Sequence, residues 1–449
     1  MCLVRRQVGD GGGVGTSLLS ASRELVARIA GDVGTPVYIY DASAIRERYC
    51  ELTRALASIP HHVFYSVKAN SNLAILDLLR SLGAGADIVS GGELARALRA
   101  GFEPEQIIFS GVGKTPAELD SALRAGVGVV NVESFAELRA LRAIADEQGV
   151  VARFGIRVNP DVTTNTHPYT QTGGRGMKFG VPMDEVMGIA QWALRQSALE
   201  QHSIGMHIGS QILESGEYRE GADKLARIVD EIRAAGVHTL RNVDVGGGLG
   251  IRYTTERPLD PVAFAEAIQP LARSTDLPLV VEPGRYLVGN AGLLVTRCLY
   301  RKRMGGREFA VVDAGMSDLL RPSLYRAEHE IQLVCDGDPT GVVKSDGADD
   351  GPVDVVGPIC ETGDFLGVRR DLPGVRPGSL LAVLAAGAYA FTMSSTYNSR
   401  PRAAEVLVDG DRWAVIRQRE SVERLMWGER TLDEVDVEGW RTVSRERGG

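Results

Sequence analysis

The feature that most constrains the fold of this chain is a repeated alternation of short apolar runs, rich in β-branched residues, with longer segments of helical spacing. In the longer segments, such as residues 134–147 and 221–235, Leu, Ala, Ile and Val recur among Arg and Glu. This pattern is typical of amphipathic helices. The apolar runs lie at residues 62–69, 85–90, 107–111, 127–134, 152–159, 204–210, 242–250 and 278–287. Eight strand-helix units in succession predict an α/β fold, a (β/α)8 TIM-like barrel.

After about residue 292 the pattern changes to strands without helices, separated by turns rich in Gly, Asp and Pro. These strands are predicted at residues 293–300, 309–313, 379–383, 404–408 and 413–418. The pattern predicts an all-β C-terminal domain of the barrel or sandwich type. We expect the barrel domain over residues 44–292 and a β domain formed by residues 17–43 plus 293–449. An early strand at residues 35–40 could pair with either domain.

Composition excludes several classes of function. A net charge of −8 and the absence of a Lys/Arg-rich stripe argue against a nucleic-acid partner. No apolar run approaches the roughly 18 residues of a membrane span, so no membrane association is expected. The five cysteines are scattered and lack CxxC spacing, which argues against a disulfide framework and a structural zinc site and favours a reducing cytoplasm. Residues 1–16 are glycine-rich and are predicted to be a disordered leader.

Polar residues follow the predicted strands at the positions where a barrel of this type carries its active site. They are Lys68, Ser90, Ser110, Glu133, Asn159, His207, Ser210 and residues 282–285. Lys68 ends an apolar strand with no acidic residue nearby in the sequence, so we expect a depressed pKa and a role as a carbonyl nucleophile, a Schiff-base lysine. For a lone lysine the alternative is a side chain that simply extends into solvent. The complete set of polar residues favours an active site.

Eight motifs support a specific resemblance. In order they are YSVKAN at 65–70, SGGE at 90–93, HIGSQ at 207–211, GGGLG at 246–250, EPGR at 282–285, RPSLY at 321–325, CETGD at 360–364 and GAY at 387–389. Taken together, they resemble the motifs of the fold-type III pyridoxal-phosphate-dependent decarboxylases, the group that acts on ornithine, arginine or diaminopimelate. The resemblance extends from about residue 34 to the C-terminus.

The resemblance implies pyridoxal 5'-phosphate as the cofactor, which accepts the electrons that a decarboxylation leaves on Cα. By the resemblance, Lys68 holds the cofactor, Glu282 keeps the ring nitrogen protonated, and His207 lies against the ring face. A phosphate needs closely approaching N–H groups, which the glycine turn at residues 246–248 would provide. The implied cofactor-binding residues are Lys68, Asp87, His207, Ser210, Gly247, Gly248, Glu282, Pro283, Gly284, Arg285 and Tyr389.

Within this family the chain is most similar to the members that decarboxylate meso-2,6-diaminopimelate to L-lysine and CO2. The resemblance assigns Arg285, Arg321 and Tyr325 to the remote carboxylate of the substrate and Glu361 to the remote ammonium. It also counts Tyr389 among the substrate-binding residues. It assigns Cys360 the protonation of Cα. It further implies a homodimer in which Cys360 and Glu361 complete the active site of the neighbouring subunit.

Alternative functions differ in what they require of the β domain. A decarboxylase of ornithine, arginine or a diaminopimelate-like biosynthetic intermediate would use the same scaffold, but Arg321 and Tyr325 favour a substrate with a distal carboxylate. A racemase would need a tyrosine base where this chain has the Cys360-Glu361 pair. A non-catalytic protein that binds pyridoxal phosphate could discard that pair, yet both residues are present.

Overall fold

The computed structural model describes residues 22–163, 172–174, 176–335 and 351–435. The leader predicted at residues 1–16 therefore lies outside the described residues. The first described elements are helix α1 (Arg23–Val33), strand β1 (Val37–Asp41) and helix α2 (Ala42–Ala55).

A closed parallel barrel follows. Its strands, with one short additional strand, are β2 (His61–Ser66), β3 (Gly85–Ile88), β4 (Ile107–Phe109), β5 (Val129–Val132), β6 (Ala152–Asn159), β7 (Val181–Pro182), β8 (Leu199–Met206), β9 (Asn242–Asp244) and β10 (Leu279–Val281). The intervening helices are α3 (Leu73–Ser81), α4 (Gly91–Arg99), α5 (Pro116–Ala125), α6 (Phe135–Gln148), α7 (Met183–Ala193), α8 (Ser215–Ala234) and α9 (Pro261–Thr275). β10 pairs in parallel with β2, which closes the ring, and β7 is an extra strand beside β6. The predicted (β/α)8 barrel is confirmed.

Several strands end earlier than the apolar runs suggested. Lys68 lies in a 3-10 turn (Val67–Ala69) after β2. His207 and Ser210, predicted on the sixth barrel strand, follow the end of β8 at Met206. Residues 282–285, predicted on the eighth, follow the end of β10 at Val281. Apolar residues continue past the strand ends into buried loops, so an apolar run does not show where the strand stops. The functional residues therefore lie in the loops that follow the strands.

The C-terminal part of the chain forms a second sheet. The remaining elements are α10 (Arg285–Val288), β11 (Gly292–Met304), β12 (Arg307–Val312), α11 (Arg321–Tyr325), β13 (Ile331–Cys335), β14 (Val353–Val356), β15 (Phe365–Arg370), β16 (Leu380–Val383), β17 (Ala404–Asp409), β18 (Arg412–Arg417) and α12 (Val422–Leu425). The strand order is β15-β14-β12-β11-β1-β17-β18, and β16 pairs with both β11 and β13. Strands β13, β14 and β15 and helix α11 were not predicted. Elements of four to six residues contain too few positions to show a clear period.

Strand β1 belongs to this second sheet, where it pairs antiparallel with β11 and in parallel with β17. Helix α1 packs Val26 and Ile29 into the same apolar cluster as Val37 and Ile39 of β1. The domain is therefore mostly sheet, as the sequence predicted, with short helices beside its strands. The chain enters this domain, leaves it to form the barrel, and returns at β11.

Two further properties bear on the sequence predictions. No helix in the described ranges is long and apolar enough to cross a membrane. Among the described cysteines, Cys298, Cys335 and Cys360 carry free thiols.

Candidate active site

Lys68 lies where two cavities meet at the C-terminal ends of the barrel strands, each with a volume of about 410 Å³. His207 and Thr172 also line both cavities. The cavity in the barrel mouth, here called the barrel cavity, is further lined by Ser110, Asn131, Arg157, Asp244 and Glu282. The cavity that extends toward the β domain, here called the distal cavity, is lined by Ser210, Tyr253, Arg285, Arg321, Tyr325 and Tyr389.

The Lys68 ammonium is paired with a buried carboxylate. Its Nζ donates a hydrogen bond of 2.7 Å to Oδ2 of Asp87, whose side chain is fully buried, and Ser66 Oγ donates to the same oxygen at 2.8 Å. Burial by itself lowers the pKa of Lys68, but attraction to Asp87, Tyr389 and Glu282 together outweighs burial and raises the net pKa above its ordinary value. The expected depressed pKa is therefore wrong for this state. The counter-charge comes from the adjacent strand β3, which proximity in the sequence could not show.

Glu282 carries a buried oxygen without a partner. The residue is 7% exposed, and its Oε1 has no hydrogen-bond partner in the described structure. Burial raises the pKa of Glu282 well above its usual range, and the nearby Asp244 and Asp87 carboxyl groups raise it further. A side-chain hydrogen bond links Glu282 to Asp244. A cationic N–H group placed against Oε1 would satisfy this atom and stabilise the ionised carboxylate.

Asp244 supports Glu282 from the end of β9. Its Oδ1 accepts a hydrogen bond of 2.8 Å from the Gly246 N–H. Burial nevertheless raises the pKa of Asp244 to about 6. Two neighbouring buried carboxyl groups cannot both ionise cheaply, so the pair retains a proton near neutral pH when no cation faces it.

The turn at residues 246–248 requires glycine. A Cβ on Gly247 would lie 2.0 Å from the Glu282 carbonyl oxygen, and Gly248, with φ +98°, would place a Cβ 2.4 Å from the Gly209 carbonyl oxygen. The Gly246 and Gly247 N–H groups donate to Asp244 Oδ1 and to His207 Nδ1, at 2.8 and 3.1 Å. These amides hold the loops together, and the three glycines are not among the residues that line the two cavities. Anion binding by this turn stays a prediction.

His207 presents a neutral ring to both cavities. Because its Nδ1 accepts the Gly247 N–H, the ring proton lies on Nε2. Burial lowers the pKa of His207 well below its usual value, and the charges of Arg157 and Lys68 lower it further. Arg157 is itself held by Glu133, through a 2.8 Å bond from Nη1 to Oε1. A neutral imidazole at this position can lie against the face of a planar ligand.

Two buried guanidinium groups define the distal cavity. Arg285 and Arg321 are each 7% exposed. The guanidinium carbons lie 5.8 and 4.2 Å from the centroid of the Tyr253 ring, whose hydroxyl accepts a hydrogen bond from Arg285 Nη1. Neither arginine forms a salt bridge with any residue in the described ranges, and the Nε atom of each has no partner there. Buried cations without a counter-charge are costly, so this arrangement indicates an anion site.

Loops of both domains complete this cavity. Arg285 Nη2 donates to Ser210 Oγ at 2.9 Å, and its guanidinium carbon lies 4.6 Å from the centroid of the Tyr389 ring. The Tyr389 N–H donates to the Ala69 carbonyl at 2.9 Å, which connects the β domain to the turn that carries Lys68. The Pro283 carbonyl accepts a hydrogen bond from the Ser66 N–H at 3.2 Å. Next to Pro283, a Cβ on Gly284 would lie 3.0 Å from the Ser66 Cβ, so glycine permits this approach.

Cys360 and Glu361 are not brought to Lys68 within one chain. Both are exposed, and neither is among the residues that line the two cavities. The Cys360 N–H donates to Asn398 Oδ1 at 2.9 Å, and Glu361 forms a side-chain hydrogen bond with Tyr397. Their loop thus presents both side chains on the surface.

Sequence reasoning missed four residues of the site, Asp244, Arg157, Tyr253 and His329. Asp244 stands in an apolar run directly before the glycine turn, and a buried acid at a strand end is a signal that could have been used. Arg157 is a charged residue inside a predicted apolar strand, and that position is a comparable signal. No local sequence signal distinguishes Tyr253 or His329, because both lie in loops and meet the arginines only in the folded chain.

Comparison with known proteins places these residues in context. Residues 42–289 match the model of the family described as pyridoxal-dependent decarboxylase, pyridoxal binding domain. This range contains the whole barrel together with Lys68, His207 and Glu282.

The similarity to individual proteins extends over most of the chain. The chain is 46% identical over 414 residues to a diaminopimelate decarboxylase of Pseudomonas aeruginosa, and the match covers 92% of this chain and 97% of that protein. A diaminopimelate decarboxylase of Vibrio cholerae is 43% identical over 417 residues, with 93% of this chain and 97% of that protein covered. The crystal structure of diaminopimelate decarboxylase from Helicobacter pylori complexed with L-lysine superimposes with a TM-score of 0.84 at 40% identity, covering 89% of this chain and 98% of that one.

Proposed function

The chain belongs to the pyridoxal-dependent decarboxylases, and we propose that it converts meso-2,6-diaminopimelate to L-lysine and CO2, the last step of lysine biosynthesis. The observation that carries the choice of substrate is the pair of buried guanidinium groups in the cavity that also reaches Lys68. Arg285 and Arg321 lack an acidic partner among the described residues, as a site for a ligand carboxylate requires. A substrate with an amino-acid group at each end would bring one end to Lys68 and the other to these arginines.

The barrel cavity suits pyridoxal 5'-phosphate. Lys68 would hold the cofactor covalently, and the unpaired Oε1 of Glu282 would face the protonated ring nitrogen. The neutral His207 ring would lie against the cofactor ring. Asp87, Ser210, Gly247, Gly248, Pro283, Gly284, Arg285 and Tyr389 would complete the binding site. When bound, the cofactor supplies an electron sink for the pair released with CO2.

Lys68 must lose a proton before its amine can react. Asp87 Oδ2, at 2.7 Å, holds the ammonium in place and raises its pKa, so this ion pair must be given up when the amine reacts. Glu282, ionised once a cationic ring nitrogen faces it, would keep that nitrogen protonated. In the distal cavity, Arg285 and Arg321, with Tyr325, would bind the remote carboxylate and so fix which end of the substrate reacts.

We further propose that the enzyme is a homodimer with shared active sites. Cys360 and Glu361 are exposed together on one loop and lie outside the cavities of their own chain. Supplied to the partner, Cys360 would protonate Cα after CO2 leaves, and Glu361 would bind the remote ammonium. A cytoplasmic location stays a prediction from the sequence.

The test is a substrate panel. Purified, cofactor-loaded protein is given meso-diaminopimelate, ornithine or arginine, and the release of CO2 is measured. We expect release from diaminopimelate alone, with L-lysine as the product. Release from none of the three would refute a decarboxylase, and release from another acid alone would refute the proposed substrate. Arg321→Gln should reduce turnover of diaminopimelate, whereas Arg326→Gln, which removes a neighbouring exposed charge outside the cavities, should not.

A further inference from the structure

His329 contacts the arginine of the distal cavity from behind. The residue is fully buried directly before β13, and its Nε2 lies 3.0 Å from Nη1 of Arg321. Its ring also packs edge-on against Tyr253, with a centroid distance of 5.0 Å. His329 is not among the residues that line the distal cavity, so it can affect a ligand there only through its neighbours.

The hydrogen bonds of His329 fix which nitrogen carries the proton. Nδ1 lies 2.8 Å from the carbonyl oxygen of Leu384, which can only accept a hydrogen bond, so Nδ1 is the protonated nitrogen. Nε2 is then the acceptor for the N–H of Arg321. Burial, and next the charge of Arg321, lowers the pKa of His329 to about 3, so the imidazole is neutral near neutral pH. Leu384 is held in turn by its own N–H, which donates to the Glu330 carbonyl at 2.8 Å.

The bond to His329 and the Tyr253 ring hold the Arg321 guanidinium in place. Nη1 is engaged by His329, and the Tyr253 ring lies 4.2 Å from the guanidinium carbon. Nε is buried and has no partner in the described structure.

We propose that His329 is a positioning residue that orients the Arg321 guanidinium to bind the distal carboxylate of the substrate. This inference rests on the proposed function. The positioning role differs from simple packing in two ways. It requires a hydrogen-bond acceptor at the place of Nε2, and its loss weakens the binding only of ligands that carry the distal carboxylate.

Two ligands separate these roles. L-lysine retains the distal carboxylate after the other end has lost CO2, whereas 1,5-diaminopentane has the same chain and amines without it. His329→Asn keeps a donor for the Leu384 carbonyl but lacks an acceptor near Arg321, and His329→Gln can place an amide oxygen where Nε2 lies. Dissociation constants of both ligands are measured with cofactor-loaded wild type, both variants and Arg321→Gln as a benchmark. Thermal unfolding and cofactor absorbance verify that each protein is folded and loaded.

We expect His329→Asn to bind L-lysine about tenfold more weakly, as loss of a hydrogen bond to a charged group predicts, and 1,5-diaminopentane as tightly as the wild type. His329→Gln should recover most of the L-lysine affinity. In kinetics, His329→Asn should raise KM for diaminopimelate with little change in kcat. Equal losses for both ligands, no loss, or equal behaviour of the Asn and Gln variants would overturn the positioning role. If His329→Asn does not fold, His329→Phe replaces it in the same comparison. Failure of the wild type itself to bind L-lysine would count against the proposed function instead.

Discussion

Asp244 and Glu282 share a side-chain hydrogen bond at a buried position at the C-terminal end of the barrel. Burial raises the pKa of both carboxyl groups. Asp244 raises the pKa of Glu282 further, whereas the hydrogen bond with Glu282 lowers the pKa of Asp244. The positive charge that this pair lacks is the one that a protonated ring nitrogen would bring. The relationship therefore makes the stability of the cofactor-free protein depend on pH.

The first prediction concerns that dependence. The folded pKa of Asp244 is about 6 and exceeds its ordinary value of 3.8, so between these values the folded state binds more protons than the unfolded state. Its contribution to the free energy of unfolding is thus fully present below about pH 4 and is lost as pH rises toward 6. We expect Asp244→Asn to become more stable relative to wild type over this range, by at most about 1.4 kcal/mol per pH unit. Urea unfolding of both cofactor-free proteins measures it. The exposed Asp223→Asn serves as the control, and a difference between Asp244→Asn and wild type that does not change with pH would contradict the prediction.

The second prediction concerns Glu282. Glu282→Gln preserves shape but cannot hold a proton on a ring nitrogen, so kcat for decarboxylation should fall by roughly 10²-fold or more while the cofactor still binds. Steady-state kinetics and the absorbance of the bound cofactor provide the two readouts. Glu266→Gln, on the exposed face of α9, is the matched change and should leave kcat unaltered. A Glu282→Gln enzyme with normal kcat would remove this residue from the chemistry.

The third prediction concerns Lys68. Lys68→Ala removes the covalent attachment point, so the visible absorbance band of protein-bound cofactor should vanish and dialysis should strip the cofactor. Decarboxylation should fall to background. Lys302→Ala, an exposed lysine of β11, provides the comparison and should retain both. Persistence of the band in Lys68→Ala would assign the attachment to another lysine.

The fourth prediction tests the shared active site. Lys68→Ala and Cys360→Ala homodimers should each be nearly inactive. If Cys360 serves the partner's site, a mixed dimer carries one wild-type site and one doubly altered site. Random exchange gives half mixed dimers, so activity should return to about one quarter of wild type. The measurement is turnover after the two proteins are unfolded and refolded together. An unchanged low activity after verified exchange would place Cys360 in the site of its own chain, and a Cys360→Ala homodimer with normal activity would remove Cys360 from the mechanism.

The sequence predicted the barrel well because eight apolar runs alternate with helices of clear period. With eight repeats of the unit, a misplaced end of one strand does not change the predicted fold. It placed Lys68, His207 and Glu282 correctly at the C-terminal ends of the strands. It failed where an element is short, as for β14, or where a charge partner comes from another strand. Asp87 lies 2.7 Å from Lys68 and, together with Tyr389 and Glu282, reverses the expected direction of the lysine pKa.

The arginines illustrate the same limit. Arg285 and Arg321 were recognised by motif, but their common contact with Tyr253 and the support of Arg321 by His329 depend on loops of both domains. Such contacts are properties of the tertiary structure, and no spacing rule within one segment predicts them.

The position of β1 between β11 and β17 has a consequence for synthesis of the chain. During translation, β1 emerges first, but its two neighbours emerge only after the whole barrel, and β17 is among the last strands to leave the ribosome. The mostly-sheet domain can therefore form only after β1 pairs with strands far along the chain, whereas the barrel can form from neighbouring units as they are synthesised. A single cut between the domains cannot release an intact sheet, because one of its central strands would remain attached to the barrel.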